Sequence, residues 1–201
     1  MKQILVVAIM VLALVGYISS AESYTDEAIS AISKAEYVGS QRCAGCHDDL
    51  YRSWLSTLHP YQERPANANT VVGDFTKNNT FNAGDYTSKM FMKDGKYYVT
   101  TLGPEGKEGT YGIEYVIGGN WKQRYVTEFP NGALHVLPVQ YNVETKKWTD
   151  YHGLAKQKPG DSKYWSDKNR AWQYHCSGCH ATGVKINYDA KNDKFNTFVT
   201  E

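Results

Sequence analysis

All four cysteines of the chain fall in two pentapeptides of one pattern, Cys43-Ala44-Gly45-Cys46-His47 and Cys176-Ser177-Gly178-Cys179-His180. Each reads C-x-x-C-H, the attachment pattern of c-type haem. Two thiols three positions apart on a single turn can add to the two vinyl groups of one haem as thioethers. The histidine that follows then presents its imidazole to the iron from the same face. Other chemistries use paired cysteines: disulfides, a four-cysteine zinc site built from two knuckles, or a thioredoxin-like redox pair. None of them requires a histidine directly after the second cysteine. With 6 His among 201 residues, finding one there twice has a chance of about 0.1%, which favours two covalent haems.

On this reading Cys43, Cys46, Cys176 and Cys179 hold the haems, and His47 and His180 are the proximal iron ligands. His59, His152, His175 and His135 remain, in that order of preference, for the far side of the irons. Methionine offers little competition, because only Met90 and Met92 lie beyond the first 21 residues, both beside a predicted hairpin turn. Two irons and four spare histidines point to bis-His ligation, which lowers the potential relative to a Met/His pair.

The predicted elements decide which histidine can reach which iron. Leu50, Trp54, Leu55 and Leu58 recur at helical spacing over Asp48–Leu58, and Pro60 should stop that helix with His59 at its end. The 12 residues from His47 to His59 would span roughly 18 Å of helix, so His59 should serve the haem of the other motif. A capping histidine at the helix dipole is the plainer alternative for His59. His175 is too close to His180 to wrap round its own haem, but can reach a neighbouring one or stay exposed. His152 leaves the end of a strand on a loop able to present a ligand, whereas His135 sits inside a strand as a packed or surface residue.

Between the motifs the pattern is strand-like. Lys89–Lys93 and Lys96–Leu102 flank Asp94-Gly95, a hairpin signal. Further strands are expected over Tyr111–Ile117, Trp121–Phe129, Ala133–Tyr141 and Trp148–Tyr151, paired antiparallel because every connection is short. Short helices are expected over Asp26–Lys34 and Ser166–Tyr174, and Ala181–Glu201 reads as polar and too short to add a core. The expected class is α+β: haem-bearing helical and loop regions at 37–65 and 165–185 flank a β-rich antiparallel insert at 86–152, within a single domain 22–201.

Residues 1–21 read as an export signal. Lys2 precedes an unbroken apolar run of 12 residues, Ile4–Val15, and Ser19 and Ala21 supply small residues for cleavage. A membrane-spanning helix needs about 20 apolar residues, so no stable span is expected after cleavage and the chain should be periplasmic or extracellular. Haem attachment takes place outside the cytoplasmic membrane, which fits export. Removing Lys2 leaves 21 basic against 21 acidic residues from the full 22 and 21, a balance with nothing to track a phosphate backbone, so nucleic acid is not an expected partner. A mean hydropathy of −0.55 excludes an integral membrane bundle, and 13% aromatics with 16 Tyr exclude disorder.

The chain resembles the multihaem c-type cytochromes related to the tetrahaem electron acceptor of hydroxylamine oxidoreductase. The residues that carry the resemblance are Tyr37-Val38-Gly39-Ser40 before Cys43, Trp54 to His59, Gly118-Gly119 to Tyr125, Leu137-Pro138 to Tyr141, and Cys176 to Gly183. The resemblance implies bis-His haems that carry electrons between redox partner proteins, other multihaem cytochromes among them. It also implies that His47 and His180 are proximal ligands and that the histidine after the Trp54 helix is a distal one. Members commonly continue past the position of Glu201 into another C-x-x-C-H, so a two-haem form or a portion of a longer chain is expected. Two other functions compete: an oxidoreductase acting on small nitrogen oxides at an open haem iron, and a colourless binding module stapled by zinc or disulfides.

Overall fold

Asp94 and Gly95 both take positive φ, 51° and 75°, the twist that a two-residue hairpin needs. The hairpin expected from these two residues is present, and a computed structural model of the chain, which describes residues 36–201, shows what is built around it. The export signal over 1–21 and the helix expected over Asp26–Lys34 lie outside the described residues.

In chain order the strands are β1 (Glu63–Pro65), β2 (Thr80–Asn82), β3 (Thr87–Lys93), β4 (Lys96–Leu102) and β5 (Glu108–Gly112). There follow β6 (Tyr115–Gly118), β7 (Lys122–Glu128), β8 (Leu134–Asn142) and β9 (Lys147–Asp150). A last pair, β10 (Tyr188–Asp189) and β11 (Lys194–Phe195), forms its own hairpin. One sheet runs β2-β3-β4-β5 and the other β1-β6-β7-β8-β9, with every pair antiparallel. The class is thus α+β with a β-rich core, as expected, and Tyr37–Glu201 make one compact unit.

Where one strand was expected over Tyr111–Ile117, the chain changes sheets. Ile113 N donates to Tyr97 O at 3.0 Å, while the next residue's N donates to Val126 O at 2.9 Å. Consecutive amides thus satisfy opposite sheets, and β5 ends where β6 begins. Between the sheets lies the main core. Phe75 sits at its centre, with Tyr97, Tyr125 and Trp148 edge-on at 5.0, 5.4 and 5.2 Å between ring centroids. Such pairs add about 0.5–1.5 kcal/mol each beyond their buried area. Trp165 closes one end, its indole N–H donating to Leu102 O at 2.8 Å.

β8 is buried at every position from His135 to Tyr141, because it is covered on both faces. One face meets the main core, and the other meets Trp172 and Cys176 in a second cluster with Ile117, Val126 and Val136. The second cysteine motif is therefore packed onto the back of the five-stranded sheet.

The helical segments depart from the expected spans. The first helix, α1, covers only Asp48–Leu55. Ser56 and Thr57 stop it, their hydroxyls donating at 2.7 Å to the carbonyls of Ser53 and Trp54 that a further turn would have used. Over Ser166–Tyr174 a 3₁₀ turn (Lys168–Arg170) capped by Asp167 gives way at the extended Ala171 to α2 (Trp172–His175), and α3 (Ser177–His180) follows. The tail also does more than expected, because Phe195 is buried against Ala133 and Ala171.

Candidate functional site

The two cysteine motifs share one backbone turn. In the first, the amides of Cys46 and His47 both donate to Cys43 O, at 3.2 and 2.9 Å. In the second, the amides of Cys179 and His180 both donate to Cys176 O, each at 3.1 Å. The first turn lies at the end of a 3₁₀ helix (Ser40–Gly45) and makes His47 the N-cap of α1. The second opens at the break between α2 and α3, where Cys176 leaves helical geometry at φ −122°. All four thiols are free, and Cys43, Cys46 and Cys179 are exposed. Among the described residues no three His, Cys, Asp or Glu side chains gather around one point as a metal site would require, so the two pairs do not form a four-thiolate cluster.

His59 and His180 line one cavity of about 520 Å³, together with Trp54, Glu63 and Cys179. That volume lies in the range of cofactor pockets, about 300–1,000 Å³. The early stop of α1 makes the meeting possible, because it frees His59 to open a separate 3₁₀ turn, His59–Tyr61, with Pro60 in its first turn. Gln62 O then accepts from Gly118 N at 2.7 Å, and Glu63 pairs with Ile117, so the segment is fixed to β6.

The second motif is held to the same edge by Trp172, whose Nε1 donates to Glu63 Oε2 at 2.9 Å. Burial pushes the Glu63 carboxyl up to about 7, against the lowering effect of that hydrogen bond. Burial, and after it the Arg124 guanidinium, lower the pKa of His180 and favour its neutral imidazole, the form that binds metals. His180 Nδ1 is buried with no hydrogen-bond partner. Burial, then the Glu63 charge, raise the pKa of the Cys176 thiol. A cavity of this size beside an available imidazole and the free Cys179 thiol fits a covalently held, metal-bearing ring.

A smaller cavity of about 260 Å³ lies against the first motif, lined by Cys43, His47, Leu50, Tyr51 and Trp54. Leu50 is 70% exposed, and the preceding Tyr37 and Val38 are 67% and 66% exposed, an apolar surface that a flat hydrophobic group would cover. Trp54 lines both cavities, so one indole stands between the two motifs.

The other histidines are placed differently. His152 is exposed at φ 52°, its ring edge-on to Tyr151 at 4.8 Å, and His175 is exposed at the end of α2. Neither lines the cavity that holds His59 and His180. His135 is 2% exposed inside β8, the packed alternative of the two expected for it. Met90 is fully buried in the core and cannot reach either motif's cavity, and Met92 is on an exposed strand position.

Sequence reasoning did not find Glu63, Arg124 or Glu201. Arg124 lies over the Tyr151 ring at 5.0 Å and pairs across β6–β7 with Ile117. Glu201 joins the two motif regions: its carboxylate accepts from Ser40 N at 2.8 Å and from Ser40 Oγ, while its carbonyl accepts from Thr182 N at 2.6 Å. No spacing signal connects residues so far apart. Compared with protein-family models, curated proteins and solved structures, the chain matches none.

Proposed function

We propose that the chain is an exported dihaem c-type cytochrome that carries electrons between redox partner proteins, other multihaem cytochromes among them, on the periplasmic or extracellular side of the membrane. The observation that carries this reading is the repeated cysteine turn, with His59 brought to the cavity of the second motif. Cys43 and Cys46 would hold one haem and Cys176 and Cys179 the other, with His47 and His180 as proximal ligands. His59 is the distal ligand proposed for the second haem, leaving His152 and His175 for the first or for a neighbouring haem. When bound, haem c supplies a reversible one-electron iron couple, of low potential where both axial ligands are histidine.

The protein groups have simpler tasks. The cysteine turns fix each histidine relative to its thiols. Burial and then Arg124 lower the pKa of His180, and Trp172 anchors its helix pair to β1 through Glu63. Trp54 lines both cavities. Neither Met90, buried in the core, nor Met92 lines either cavity, whereas His59 does.

The test is to produce the full chain in a host that matures c-type cytochromes and to count haem by the pyridine haemochrome method. Two haems per chain are expected, one after Cys43→Ser with Cys46→Ser, and low-spin spectra in both oxidation states. A high-spin band would turn the reading toward chemistry at an open iron, such as reduction of small nitrogen oxides. A colourless product from a host that matures other c-type cytochromes would overturn the proposal.

A further inference from the structure

A cavity of about 530 Å³ lies at the turn between β7 and β8 and shares no lining residue with either cysteine motif. Its walls are aromatic: Phe129 and His135 from the hairpin, Tyr174 from α2, and Tyr188 and Phe195 from the β10–β11 hairpin. Tyr188 and Phe195 have ring centroids 4.6 Å apart, Tyr174 and Phe195 5.6 Å, and Phe129 and His135 4.6 Å.

The walls are fixed by the backbone. Phe195 N donates to Asn131 O at 2.8 Å. Gln173 Nε2 donates to Gly132 O at 2.9 Å, and its Oε1 accepts from Leu134 N at 3.1 Å. Gly132 stands at φ 78°, and a Cβ there would lie 2.6 Å from Phe195 O. The turn and the last hairpin thus approach as closely as glycine allows.

His135 gives the cavity its chemistry. Its Nδ1 lies 3.2 Å from Trp165 O; a carbonyl only accepts, so Nδ1 carries the proton. Burial holds its pKa down to about 4, opposed by that hydrogen bond, and the ring is neutral at pH 7. Nε2 is then a bare acceptor on a residue 2% exposed. It has no protein partner, and the ring that carries it lines the cavity. It is not among the described side-chain atoms that are buried without a partner, so water in the cavity reaches it, and an occupant that covers it must supply a donor in place of that water.

Charge at the rim narrows the occupant further. Asp193 is already engaged, accepting from Tyr188 Oη at 2.7 Å and from Asn131 Nδ2 at 3.3 Å. Lys168 lines the same cavity and takes part in neither of the two ion pairs found among the described residues. We infer that this cavity binds a planar aromatic ring bearing a hydroxyl, which donates to His135 Nε2, and an anionic substituent, which faces Lys168. A hydroxylated aromatic carboxylate combines all three features. The inference does not depend on the haem reading.

Calorimetric titration of the full chain with 4-hydroxybenzoate, benzoate and phenol tests it. 4-Hydroxybenzoate is expected to bind about tenfold or more tightly than benzoate, since the latter covers Nε2 and displaces its water without replacing the hydrogen bond. Phenol, lacking the anion, should also bind more weakly. His135→Phe should abolish the preference for the hydroxyl, and Tyr188→Ala should weaken all three ligands while keeping that preference. Should His135→Phe fail to fold, the ¹⁵N shift of His135 Nε2 in the unaltered chain replaces it, and 4-hydroxybenzoate but not benzoate should move it. Equal binding of 4-hydroxybenzoate and benzoate, or no binding of either at millimolar concentration, would overturn the inference.

Discussion

His59 reaches the second cysteine motif because two hydroxyls end its helix before the proline does. Sequence spacing pointed it to the other motif through the length of an unbroken helix, whereas the helix ends at Leu55 and His59 opens a separate turn that lines the cavity with His180. Ser56 and Thr57 cap the carbonyls of Ser53 and Trp54, a local competition between side chain and backbone that periodicity does not register. The cysteines and the two adjoining histidines were legible as residues, because a five-residue pattern carries its chemistry without reference to the fold. Glu63 and Arg124 were not, because their importance comes from cross-strand pairing with Ile117. If His59 serves the second haem, its removal has a selective signature. In a chain whose first motif is silenced by Cys43→Ser and Cys46→Ser, His59→Ala should convert the remaining haem from low to high spin. His152→Ala and His175→Ala should leave it low-spin, and electron paramagnetic resonance distinguishes the outcomes.

Turn chemistry made the long hairpins readable. Asp94-Gly95 placed β3 and β4, and Pro130-Asn131-Gly132 separated β7 from β8. The short strands β1 and β2 were missed, since three residues carry no usable alternation and their pairing is decided by the neighbouring strand. The break between β5 and β6 was missed for another reason. Ile113 and Glu114 continue the local pattern while their amides bond to different sheets. The loop before β2 is also ordered by one side chain: Asp74 accepts from the amides of Thr76, Lys77 and Asn78, which holds its carboxyl well below the usual carboxylate range. Gly132 is the position where an element depends most on a missing side chain. Gly132→Ala meets both a positive φ and the Phe195 carbonyl, and should cost about 1–3 kcal/mol. A lowered urea midpoint would register the loss, and earlier protease cleavage near Lys194 would show that the last hairpin has detached.

Across the whole molecule, the β insert is built mostly from neighbours in sequence, whereas the two motif regions are joined by distant ones. Ser40 and Glu201 are 161 residues apart. Gly183, at φ 65°, sits so close to Tyr37 and Thr200 that a Cβ would lie 3.0 Å from the Tyr37 Cβ and 2.4 Å from the Thr200 hydroxyl. Composition could set the class and the charge balance of the molecule but carried no trace of this closure. Its strength is measurable by a double-mutant cycle. Ser40→Ala and Glu201→Gln should each cost about 1 kcal/mol, and the pair together less than their sum, because both remove one charge-assisted contact. Additive losses in chemical denaturation would show that the two residues act independently.

The reach of that contact also sets an order of assembly. Contacts between residues far apart in the chain are slow to form, because the loop they close must first be ordered. The hairpins from β2 to β9 close short loops and can collapse while Ser40 and Glu201 are still apart. During that interval the aromatic core around Phe75 can already form, while Cys43, Cys46 and Cys179 stay open to solvent. If the thiols take up haem as proposed, attachment can therefore follow folding of the insert, and closing the clasp afterwards would lock it in.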